Sequence, residues 1–117
     1  MMRRLVPLIA AVLALAACSS AGSAGRQVGS DGELACTLVR MLPDRMPDQP
    51  AGGSSDHSWD VAVGRLDTAA ELARVAALED TKYQPLADTL ATARQTFSTT
   101  FDIHRAEPGI KQARTHC

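Results

Sequence analysis

Only four of the 117 residues are aromatic: Trp59, Tyr83, Phe97 and Phe101. A chain with so few large rings must build its core from Ala, Leu and Val. Such a core closes only if backbones come near one another. The patterning says how. Leu34, Leu38, Met41 and Leu42 recur at helical spacing, as do Trp59, Val63, Leu66, Ala70, Ala73 and Ala77. Tyr83, Leu86, Leu90, Phe97 and Phe101 make the most regular stripe, with Ala87 and Ala93 beside it. No segment alternates with the period of two that a half-buried strand requires. The expected fold is all-α: a small bundle of three longer helices and a short C-terminal one.

Local signals place the helix ends. Ser30 and Glu33 have capping-box spacing, so the first helix begins near Ser30 and stops at Pro43. Cys36 is expected at the edge of its apolar face. Residues 43–58 form a Pro/Gly-rich connector, with Met46 expected to plug back onto the core. The second helix is expected over Trp59–Leu78, capped by Ser58 or Asp56. It carries a smaller stripe of Val61, Leu72 and Val75, as if neighbours touch it on two sides. Gly64 within it reads as a point of close packing. Thr81 and Gln84 again have capping-box spacing, and Pro85 falls in the first turn of the third helix. This helix is expected to be the spine of the core. Pro108 suits the first turn of the closing helix, whose face would carry Ile110, Ala113 and Cys117.

Ahead of this domain the chain opens Met1-Met2-Arg3-Arg4 and then runs apolar from Leu5 to Ala17, 13 residues. A spanning helix needs roughly 20. A basic start, a short apolar stretch and small residues at its end are the pattern of an export signal. Leu15-Ala16-Ala17-Cys18 resembles the lipobox of bacterial lipoproteins. The resemblance implies cleavage before Cys18, whose thiol would carry a diacylglyceryl thioether. Small residues before the thiol give the peptidase room to reach the peptide bond. Each buried methylene contributes about 0.8 kcal/mol, so two acyl chains anchor where one holds only marginally. Residues 18–29 follow as a Gly/Ser/Ala-rich tether, and residues 30–117 form the helical domain. The expected location is the cell membrane, on its extracytoplasmic face.

Loss of Arg3 and Arg4 with the leader leaves ten basic against 13 acidic residues. That balance excludes a strongly basic nucleic-acid binder. An odd count of three cysteines leaves Cys36 and Cys117 once Cys18 is acylated. Export favours their pairing as a bridge between the two ends of the domain; the alternative is a reactive or metal-binding thiol. His57, His104 and His116 have no C-x-x-C or H-x-x-x-H context for zinc and read as scattered surface residues. Asp67, Glu71 and Arg74 have the spacing of a solvated face with local ion pairs. G-x-S-x-G, P-loop and dinucleotide motifs are missing. No catalytic residue, metal or cofactor is therefore expected.

The body has a looser likeness. Cys36-Thr37-Leu38-Val39, the Ala-rich helices joined through Tyr83-Gln84-Pro85-Leu86 and the terminal Cys117 look similar to small helical lipoproteins of high-GC Gram-positive bacteria. The likeness implies a bundle bridged between its ends and supplies no activity. The expected role is a non-enzymatic binding or structural module that meets an envelope protein or component. The alternative is a small-ligand or envelope-stress sensor.

Overall fold

The computed structural model describes residues 30–51 and 57–117. The leader, Cys18, the tether and Asp56 lie outside them. Among the described residues the secondary structure is entirely helical. Helix α1 spans Asp31–Met41, α2 Ser58–Glu79, α3 Gln84–Thr100 and α4 Glu107–Arg114. Single 3-10 turns, Thr81–Tyr83 and Ile103–Ala106, precede α3 and α4.

The chain enters α1 through the expected capping box. Glu33 N–H donates to Ser30 Oγ (3.3 Å), and Ser30 N–H donates to Glu33 Oε2 (3.1 Å). The helix ends two residues before Pro43. Its buried face differs from the expected one. Ala35, Cys36, Val39 and Leu42 are buried, while Met41 is 49% exposed and Leu34 and Leu38 are only half-buried. The inward face is shifted by one residue, roughly 100° around the helix. Cys36 thus belongs to the core and not to its edge. Gly32 makes this possible: a Cβ there would lie 2.2 Å from the Tyr83 ring, so the glycine lets the ring lie against α1.

Helix α2 is the centre of the bundle, with α1 and α3 both packed on it. It buries Ala62, Leu66, Ala69, Ala70, Ala73 and Ala76. Five of these six are alanine, which is how a core poor in large side chains closes: the neighbouring backbones come near enough to touch methyl groups. Of the minor stripe, Leu72 packs on the core, Val75 is half-buried and Val61 stays 45% exposed. The helix starts with His57 at its cap position, without a side-chain cap bond, so Ser58 is its first residue and not its cap. Gly64 also departs from expectation, because a Cβ there would meet nothing within 4 Å. Gly64→Ala should therefore stabilise the fold by up to about 1 kcal/mol, through helix propensity alone. A thermal melt reads it directly; a lower melting temperature would mean that something covers that side of α2.

The turn into α3 is capped by Asp80, which accepts from Lys82 N–H (3.0 Å). Thr81 and Gln84 form no box. Gln84 instead donates to Asp88 Oδ1 one turn on (2.7 Å). Pro85 sits in the first turn of α3, as expected. Leu86, Ala87, Leu90 and Ala93 are buried, and Tyr83 and Phe97 pack on the flank of the core. Phe97 meets Trp59 edge-on at 5.9 Å between centroids, so Trp59 is a partly buried plug. Phe101 is not in the core at all. It is the C-cap of α3 in left-handed conformation (φ 57°) and 83% exposed. The core is therefore centred on the alanines of α2, and α3, expected to be its spine, packs against them through Leu86 and Leu90.

The segment after Phe101 is ordered by packing. Ile103 and Ala106 are buried, one 3-10 turn apart, and α4 follows with Pro108 in its first turn. Ile110 and Ala113 face the core, and Gly109 rests against Ala93, 3.0 Å from where its Cβ would lie. Cys117 lies beyond the last residue of α4 and not on its apolar face. It is bonded to Cys36, with Cα atoms 5.5 Å apart, which ties the chain's end to α1.

Candidate functional site

The richest polar cluster lies where the connector crosses α4. Met46 is only 1% exposed, so the connector is docked by its one large apolar residue. Three polar links flank that plug. Arg114 donates from Nη2 to the Leu42 carbonyl (2.6 Å) and from Nη1 to Asp44 Oδ1 (2.7 Å). Met46 N–H donates to Glu107 Oε2 (3.3 Å). His104 reaches Asp48.

Local backbone chemistry aims His104. Asp102 accepts from His104 N–H (3.0 Å) and starts the 3-10 turn. In such a turn, side chains three apart share a face. Ile103 and Ala106 therefore both point inward, and His104 and Glu107 share the adjoining face. The result is an imidazole held between two carboxylates. Nδ1 lies 2.9 Å from Glu107 Oε2, and Nε2 lies 2.5 Å from Asp48 Oδ1. The ring is 29% exposed. Hydrogen bonds that the ring donates to Glu107 and then to Asp48 raise the imidazole above its ordinary value of 6.5, against a smaller opposing effect of burial. The two carboxylates sit on opposite ring nitrogens and face no common point. No group of three His, Cys, Asp or Glu among the described residues could hold a metal ion.

Beside this cluster lies an open depression of about 610 Å³, lined by Asp44, His104, Glu107, Pro108, Lys111 and Arg114. A second, of about 420 Å³, lies where Ser30 and Glu33 meet Glu79, Lys82 and Tyr83. Charges of both signs line each, which suits a polar contact better than an apolar ligand.

The other expected positions are plain. Cys36 and Cys117 are brought together as a disulfide, and Cys18 lies outside the described residues. Glu71 and Arg74 form a forked surface ion pair, with Arg74 Nη2 2.6 Å from Glu71 Oε1. The pairing lowers the Glu71 carboxyl and raises Arg74. Asp67 contributes only its carbonyl, which accepts from Arg94 Nη1 (3.4 Å). His57 is 3.8 Å from Asp60 on the surface. His104 is the histidine that sequence reasoning misplaced. The i, i+3 spacing of His104 and Glu107 was a signal for half of its site. Nothing in the sequence pointed to Asp48, 56 residues away.

No protein-family model matches this chain, no curated protein matches it, and no solved structure matches its fold.

Proposed function

We propose that this protein is a lipid-anchored module of the cell envelope that works by binding on the extracytoplasmic side of the membrane. One observation carries the reading: Leu15-Ala16-Ala17-Cys18 closes a 13-residue apolar run behind Arg3-Arg4. A short apolar leader that ends in small residues and a thiol is built for cleavage and acylation, not for spanning. The Cys36–Cys117 bond supports export, because such bridges persist in oxidising compartments. No helix among the described residues is long and apolar enough to cross a membrane, so attachment through Cys18 requires nothing further of the domain.

Binding is preferred to catalysis because the densest polar cluster is spent on structure. Arg114, Glu107 and His104 all hold the connector. The alternative, a small-ligand or envelope-stress sensor, draws on the mixed-charge depression beside them. Mass spectrometry of membrane-extracted protein should find an N-terminal peptide that begins at Cys18 and carries diacylglyceryl. Cys18→Ala should release the protein or leave its leader attached. Mature membrane material with an unmodified Cys18 would end the proposal. Crosslinking in the native membrane, followed by identification of what is captured, separates a protein partner from a small ligand.

A further inference from the structure

We propose that His104 is a proton-operated latch that straps connector residues 43–51 onto α4, closed when the imidazole is charged and loosened when it is neutral. The inference stands apart from the lipid anchor and rests on the geometry of one ring. Both nitrogens of His104 face a carboxylate oxygen, Glu107 on one side and Asp48 on the other. Only the imidazolium has a proton on both nitrogens. The neutral ring keeps one N–H and turns a lone pair toward the second carboxylate, so one contact changes from a charge-assisted hydrogen bond to a repulsion. The strap has no other polar tie at Asp48 except Arg45, which is 3.8 Å away on the same segment and cannot hold it to the bundle.

The effect reaches the buried plug. Glu107 Oε2, which faces His104 Nδ1, is the same oxygen that accepts from Met46 N–H. A charged ring thus fixes the carboxylate that receives the strap's backbone. The other charged groups around the ring do not supply that proton. Asp102 is engaged with the backbone of His104, and Arg105 lies 3.8 Å from Asp102. Arg114 is bound to Asp44 and the Leu42 carbonyl. Lys111 lines the same depression. Arg114 holds the 42–44 end through Asp44 and the Leu42 carbonyl, so His104 controls the 46–48 end.

The sign follows from linkage. The carboxylates raise the imidazole above its ordinary value when the strap is closed. The closed strap is therefore fully favoured below the open-state value, and the advantage disappears as pH rises through the higher closed-state value. Each tenfold by which closure tightens the proton makes opening tenfold more frequent at the alkaline limit.

The test is hydrogen exchange of the Met46 amide in the full chain, corrected for intrinsic base catalysis. Its protection should fall at least about fivefold between about pH 5.5 and about pH 8.5. In His104→Gln, whose amide does not titrate, protection should be flat across that range. Asp48→Asn keeps the Glu107 contact and should shrink the pH response while leaving the bundle folded. An equal fall in the protein and in His104→Gln, or no fall in either, would overturn the latch. So would an Asp48→Asn variant that keeps the full response.

Discussion

Removing the Cys36–Cys117 bond should cost about 4 kcal/mol, because it closes a sequence separation of 81 residues in the unfolded chain. For a domain of this size the melting temperature should drop by more than about 10 °C. Calorimetry of the full chain against a Cys36→Ala/Cys117→Ala variant measures it. Alanine is the suitable replacement because Cys36 is buried among Ala35, Val39 and other apolar neighbours, where a serine hydroxyl would go unpaired. Loosening should begin at the tail. Cys117 lies past the end of α4, and beyond the bridge it is held by Arg40 Nη2, which donates to its carbonyl (3.2 Å), and by its own N–H, which donates to the Arg114 carbonyl (3.2 Å). The helix before it is pinned by Ile110, Ala113 and Arg114, so its amides should stay protected longer than those of 115–117. Melting temperatures equal to within about 2 °C would show that the bridge does not staple the bundle.

Leu90→Ala should cost about 2–5 kcal/mol, whereas Phe101→Ala should change stability by less than about 0.5 kcal/mol. The two residues lie on one predicted stripe, yet Leu90 is fully buried and Phe101 is 83% exposed. Half of the buried core residues around this bundle are alanines, and an alanine has no side-chain rotamer with which to fill the space that the lost isopropyl group leaves. Phe97→Ala should fall between the two, at about 1–3 kcal/mol, since it loses partial burial and an edge contact with Trp59. Urea titrations read all three as shifts in midpoint at constant slope. A larger loss for Phe101→Ala than for Leu90→Ala would invert this picture of the core.

The histidine between Asp48 and Glu107 shows where a sequence stops being informative. His104, Glu107 and Asp102 are close in the chain, and their relation follows from the geometry of one turn. Asp48 joins them because of where Met46 docks on the core. The sequence marks Met46 as the apolar residue of the connector, but no local pattern says which polar groups its docking brings together.

What the sequence determined by itself is how α1 is capped and stopped and where prolines open α3 and α4, though not which residues cap α2 and the turn into α3. The Ser30 capping box, the stop before Pro43 and the early prolines of α3 and α4 are matters of backbone donors and fixed φ, settled within four residues. It also determined that the core would be built of small side chains. Tertiary structure alone decided which side of α1 turns inward. Leu34, Leu38 and Met41 are larger apolar residues, yet Ala35, Cys36 and Val39 are buried in their place; of the expected stripe Leu42 alone is buried, with Leu38 packed on the core's flank. Contact with an alanine-lined helix favours the face that permits the closest approach, and the Tyr83 ring over Gly32 and the bond at Cys36 fit only that rotation. Phe101 was decided the same way. The chain turns left-handed at that residue, and Ile103 and Ala106 occupy the core instead. Periodicity gives a helix its apolar residues, but the shape of the neighbours selects which of them are buried.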